Sequence, residues 1–156
     1  MVDSLQGGTF SLEHRYRVES REDRVGFVVR YRGEQLPFER PVRIGVYDRL
    51  TDAGAESAVF DRLKESAHRA HHIDVDGALR LLDYGELDKG IPFVVSERSP
   101  GRTLEEQIAD DGPLPPGDVV ELVDRLASIL DAVHERGLAH GTLSTRWIFT
   151  DGNPAE

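Results

Sequence analysis

Apolar residues recur along this chain in two rhythms. Between His14 and Asp48, and again between Leu79 and Glu97, they alternate with polar residues or gather in short runs broken by turns. Between Ala55 and Ala70, and between Pro116 and Arg136, they return every three or four residues. The first rhythm is that of half-buried strands, the second that of amphipathic helices. Strands are predicted at His14–Ser20, Val25–Tyr31, Val42–Asp48, Leu79–Tyr84 and Ile91–Glu97. Arg21–Arg24 reads as a charged turn, Gly33–Pro41 as a loop, and Asp88-Lys89-Gly90 as a second turn.

The helical segments carry their own start and stop signals. Ala58, Val59, Leu63 and Ala67 form a thin apolar stripe, with Glu65 one turn before Arg69. Pro100-Gly101 breaks the chain. Thr103-Leu104-Glu105-Glu106 then has the form of a capping box, and starts a short helix running to about Asp110. Pro115-Pro116 suit the first turn of the long helix, and Gly137 suits its end. Val119, Leu122, Val123, Leu126, Ile129, Leu130 and Val133 give that helix a wide apolar face. Trp147–Thr150 is a candidate short strand.

Composition narrows the class. At 156 residues the chain can bury a real core. It has no cysteine, so disulfides and thiolate metal sites are excluded. Its net charge is -10, and Lys64 and Lys89 are its only lysines. So acidic a surface repels a phosphate backbone, which argues against nucleic acid. No apolar run approaches a membrane span and the N-terminus lacks the form of a signal peptide, so a cytoplasmic location is expected.

The order of elements and several short segments resemble a protein kinase of the bacterial serine/threonine type. Leu81-Leu82-Asp83-Tyr84-Gly85-Glu86 resembles that family's fourth strand, and Phe93–Leu104 its fifth strand and hinge. Pro113-Leu114-Pro115-Pro116 and His140–Phe149 resemble the lead into its long helix and its catalytic loop. The resemblance covers about Tyr16 to Gly152 and implies an α+β fold. A small lobe of five antiparallel strands and one helix would precede a partial helical large lobe. It implies a flexible N-terminus (1–13), a small lobe (14–97), a hinge (98–102) and a large lobe broken off after the catalytic-loop region (103–156).

At the positions that carry kinase chemistry, the resemblance implies loss. In the glycine-rich loop only Gly26 remains; Arg21 and Asp23 replace the first two glycines. The phosphate-gripping strand lysine is replaced by Gly45, and Arg43 is assigned to the other face of that strand. The helix glutamate that would pair with the lysine is Glu65, or less well Glu56. Thr142 stands for the catalytic aspartate, Ser144 for a lysine near the transferred phosphate, and Trp147 for the metal-binding asparagine. His140 is kept, as a structural residue. Gly26, Glu65, Ser96 (at the gatekeeper place), Glu97 and Arg98 are the residual cleft candidates.

The expectation is therefore a pseudokinase that works by contact, as a binding, regulatory or scaffold module. Its long-helix face, with Trp147, would meet a second copy or a protein partner, and no cofactor, metal or ATP is expected. Two alternatives stand: a divergent kinase-like protein holding ATP through other residues, and one half of a split kinase-like protein. His68, His71 and His72 have helical spacing that could hold a metal, but a helix C-terminus favours histidines without one.

Overall fold

A computed structural model describes residues 10–12, 14–47, 56–87, 91–99 and 101–150. The elements run β1 (Phe10–Leu12), β2 (Tyr16–Val25), β3 (Val28–Gln35), β4 (Arg40–Val46), α1 (Glu56–His71), β5 (Leu81–Leu87) and β6 (Ile91–Glu97). Then come β7 (Arg102–Thr103), α2 (Leu104–Asp111), α3 (Pro116–His134) and β8 (Phe149–Thr150). The described residues up to Ile73, with Leu79–Arg98, form one compact unit; Asp74–Ala78 and those from Ser99 onward form another.

The first unit is a six-stranded antiparallel sheet in the order β1-β2-β3-β4-β6-β5, with α1 beside β5. Alternation sets its core. Val42, Ile44 and Val46 point to one face, where Tyr16, Val18, Val29, Tyr31, Phe93 and Val95 join them in burial. A slip of one residue in β4 would drive Arg43 into that core, so the apolar rhythm fixes the register. The Tyr16 hydroxyl donates to Asp83 Oδ2 at 2.8 Å, and Arg15 pairs with the same carboxylate at 2.6 Å. Because β2 and β5 lie far apart in the strand order, the sheet must curl round its apolar face to bring them together.

All five predicted strands are present, with shifted ends; Gly33–Gln35 extend β3 and Arg40–Pro41 open β4, so the expected Gly33–Pro41 loop shrinks to Leu36–Glu39, and two further expectations fail here. Arg21–Arg24 is not a turn: β2 continues through it to Val25. Arginines of the neighbouring strands neutralise its two carboxylates, Glu22 and Asp23. The N-terminal stretch 1–13 is not uniformly free either, since Phe10–Leu12 pairs with β2 and Leu12 is buried. The Asp88-Lys89-Gly90 turn lies outside the described residues, as does the side chain of Glu56.

In the second unit the start of α2 follows its sequence signal. Thr103 Oγ1 accepts from the Glu106 amide at 3.2 Å, and the Thr103 amide donates to Glu106 Oε2 at 2.7 Å. Helix α3 starts on Pro116 and is closed by Gly137, whose φ of 75° only glycine adopts without strain. The Gly137 amide donates to His134 O at 2.8 Å and the Leu138 amide to Val133 O at 3.3 Å, the paired bonds of a Schellman motif. Gly77 packs on the flank of α3, and a Cβ there would lie 2.5 Å from Ile129 Cδ1. The predicted strand near Trp147 is the two-residue β8, paired with β7.

Candidate functional site

Strands β2 and β3 run together as far as the pair Val25 and Val28, leaving Gly26 and Phe27 as a two-residue turn. Gly26 takes φ 59°, as such tight hairpin turns require. The face of this sheet away from the core carries Val28, Arg30 and Arg32 of β3, Arg43 and Gly45 of β4, and Val94 and Ser96 of β6. Arg30 stands opposite Gly45, and Arg32 opposite Arg43. Arg43 thus shares a face with Gly45, against the assignment made from sequence: positions two apart in a strand point the same way.

Carboxylates from β2 answer these cations. Asp23 takes two bonds from Arg30, one of them Nε to Oδ1 at 2.6 Å, and Arg30 is only 5% exposed. Glu22 sits at a shift in the β2–β3 register and serves two arginines at once. Its Oε1 accepts from Arg32 Nε at 2.7 Å and its Oε2 from Arg43 Nε at 2.8 Å. Burial pushes the Glu22 carboxyl up, but the bonds and charges of Arg43 and Arg32 outweigh it and hold the group below its usual value.

The strand-lysine position is closed as well as changed. A Cβ on Gly45 would lie 3.1 Å from Val28 Cγ1 and 3.3 Å from Val94 Cγ2, so the two valines have packed over the glycine. Glu65 is exposed and pairs with Arg69 at 3.6 Å, one turn along α1. Ser96 stands opposite Arg43, Glu97 pairs with Arg40 at 2.6 Å, and Arg98 is half-buried. Two of the cleft candidates named from sequence, Glu65 and Glu97, are thus each paired with an arginine within this unit. The histidines of α1 are engaged locally: His68 Nδ1 lies 3.0 Å from the Tyr84 hydroxyl, and His71 Nδ1 lies 3.1 Å from Leu81 O. Among the described residues no group of three or more His, Asp or Glu is disposed to hold a metal ion.

In the second unit the loop after α3 is tied to α2. The Leu104 amide donates to Ile148 O at 2.8 Å, and the Glu105 amide to Thr145 O at 3.2 Å. Arg146 pairs with Glu105 at 2.8 Å. His140 and Trp147 meet edge to face with centroids 6.2 Å apart, and partial burial pulls the His140 pKa down. Trp147 is half-buried, whereas Thr142 and Ser144 are exposed. Neither hydroxyl can act as a carboxylate base near neutral pH, and the indole offers no oxygen to a metal ion.

Helix α3 has no buried residue. Its apolar face, read from sequence as one surface, divides into two stripes. Leu122, Leu126, Ile129 and Val133 are half-buried on the side that meets Gly77, with Leu130 also half-buried. Val119 and Val123 are exposed, and the structure adds Val120 to them at 70% exposed. Sequence reading passed over Val120, although it lies one turn before Asp124 and three residues before Val123. The Glu22, Asp23 and arginine set was also missed. Placing the hairpin turn at Gly26-Phe27 would have revealed it, because that register sets Asp23 against Arg30.

A curled antiparallel sheet with one helix, followed by a short and a long helix and a tied loop, is the small lobe and first part of the large lobe of a protein kinase. The chain has a protein-kinase-like fold and resembles bacterial serine/threonine protein kinases. It is 30% identical over 138 residues to the serine/threonine-protein kinase pkn2 of Myxococcus xanthus, covering 88% of this chain and 16% of that protein. It is 30% identical over 129 residues to the serine/threonine-protein kinase PknL of Mycobacterium tuberculosis, covering 83% of this chain and 32% of that protein. The crystal structure of the Mycobacterium tuberculosis PknI kinase domain matches with a TM-score of 0.74 at 23% identity, over 90% of this chain and 55% of that one. The chain thus spans a third or less of these two curated relatives and about half of the solved domain. No family model matches it. Among the described residues no helix is long and apolar enough to cross a membrane.

Proposed function

We propose that this chain is a kinase-like binding module that acts by contact and transfers no phosphoryl group. The observation that carries the reading is α3, a 19-residue helix without a buried residue that exposes Val119, Val120 and Val123 side by side. Such an apolar patch on a helix marks an interaction surface. Its occupant in this reading is a second copy, lying antiparallel. The first half of α3 carries Asp118, Glu121 and Asp124, Arg125 stands at its middle, and His134, with Arg136 just beyond, lies at its end. Antiparallel pairing brings those acids toward the partner's basic end and opposes the two helix dipoles, against some repulsion from Asp131 and Glu135. The loss of chemistry at Gly45, Thr142 and Trp147 supports the inactive half of the proposal. Binding of ATP through other cations is disfavoured, since Arg30, Arg32 and Arg43 are already engaged by carboxylates.

Light scattering across a concentration series, with a hydrophobic dye as a second readout, tests the reading. Self-association is expected for the wild type and a monomer for Val120→Glu/Val123→Glu. A wild-type chain that stays monodisperse and monomeric, with no added dye binding, rules it out.

A further inference from the structure

On the outer face of the sheet, two arginines are held where their own charges oppose it. Arg32 and Arg43 are direct cross-strand neighbours, an arrangement that is destabilising for like charges. Between them stands one carboxylate, whose two oxygens are divided between the two guanidinium groups at 2.7 and 2.8 Å. The Glu22 and Arg43 side chains are 12% and 13% exposed, while Arg32 is 50% exposed, so the set opens to water on the Arg32 side. The neighbouring cation, Arg30, is matched by Asp23. Two guanidinium groups converging on one point are the means by which proteins hold a phosphate, and here an internal carboxylate takes that place.

We infer that Arg32 and Arg43 form a phosphate-type anion site that the chain keeps occupied with its own Glu22. The bulge in β2 is what delivers Glu22 to it, between the pairs Arg21 with Tyr31 and Asp23 with Arg30. The sheet face is then neutralised without any ligand, and an external phosphate has to displace a covalently tethered competitor. The inference concerns this face alone and does not depend on what α3 binds.

Isothermal titration of the full chain with inorganic pyrophosphate tests it, without metal ions and at about 0.15 M salt, where charges beyond about 8 Å are largely screened. Glu22→Gln is expected to bind at least tenfold more tightly than wild type, and Glu22→Gln/Arg43→Gln to lose that gain. Adenosine, a base and sugar without phosphate, is expected to be silent. A folded Glu22→Gln chain that binds pyrophosphate no better than wild type overturns the inference, as does a response to adenosine equal to that of pyrophosphate. Where Glu22→Gln unfolds in plain buffer, pyrophosphate is expected to restore its near-ultraviolet circular dichroism and sodium chloride of equal ionic strength is not. Failure of that rescue also overturns it.

Discussion

The outer face of the sheet and the open side of α3 lie in different units and have been completed by different means. On the sheet the chain answers Gly45 and three arginines of the face from within. Val28 and Val94 close over Gly45, Asp23 takes Arg30, and Glu22 takes both Arg32 and Arg43. On α3 the chain covers one stripe, as where Gly77 meets Ile129, and leaves Val119, Val120 and Val123 in water. A satisfied face gains little from a ligand, whereas an exposed apolar stripe gains free energy from any surface that dries it. In the proposed reading, the chain's capacity for contact lies on the open stripe of α3 and not on the sheet face.

The sharpest way to break that contrast is to unpair the sheet. Glu22→Ala leaves two facing guanidinium groups with no carboxylate between them. Removing one partner of a buried ionic set costs about 3–5 kcal/mol, and the openness on the Arg32 side points to the lower end. Urea unfolding at neutral pH is the measurement. A loss below about 0.5 kcal/mol, the scale of ordinary surface substitutions, means that the network is decoration. Gly77→Ala attacks the covered side of α3. It combines a φ of 83° with a Cβ 2.5 Å from Ile129 Cδ1, and a loss of about 2–3 kcal/mol is expected in the same assay.

Gly45→Lys asks whether the sheet can be turned back toward phosphate binding. The added side chain must displace Val28 and Val94, which costs about 1–3 kcal/mol as overpacking. No ATP-dependent rise in melting temperature is expected, because Asp23 and Glu22 remain on the same face. A clear magnesium-dependent rise sinks the view that this face is closed. Val120→Glu/Val123→Glu sharpens the other side of the contrast. Both residues are exposed, so the change in stability is expected within about 0.5 kcal/mol per site, while self-association is lost.

The two regions were also unequally legible in the sequence. The capping box at Thr103, the stop at Gly137 and the strand at Ile91–Glu97 depend on neighbours in the chain, and each stands where its signal placed it. The kinase-like order of elements was readable for the same reason. The ion-pair face was not, because it depends on register. Arg21–Arg24 has the composition of a turn, and only its pairing with β3 explains why four charged residues continue a strand. The division of α3 into a covered and an open stripe was hidden too. It follows from where Gly77 is brought in a folded chain, not from any period along the helix.

The smallest expected effect lies in the loop after α3, where His140 packs on Trp147. Partial burial lowers the His140 pKa below the usual 6.5, so the folded chain favours the neutral ring. Below that pH the unfolded chain binds more protons at this site than the folded one. His140 therefore supports the fold in full above pH 6.5, and its contribution falls as acid is added through the folded pKa. Comparing wild type with His140→Phe isolates the term, since phenylalanine keeps an aromatic contact and cannot titrate. Between pH 7.5 and pH 5.5 the wild type is expected to lose slightly more thermal stability than the variant. The reverse order would mean that the charged ring is the one the fold prefers, with a carboxylate brought close to it. That would make the loop, like the sheet, a place where the chain supplies its own counter-charge.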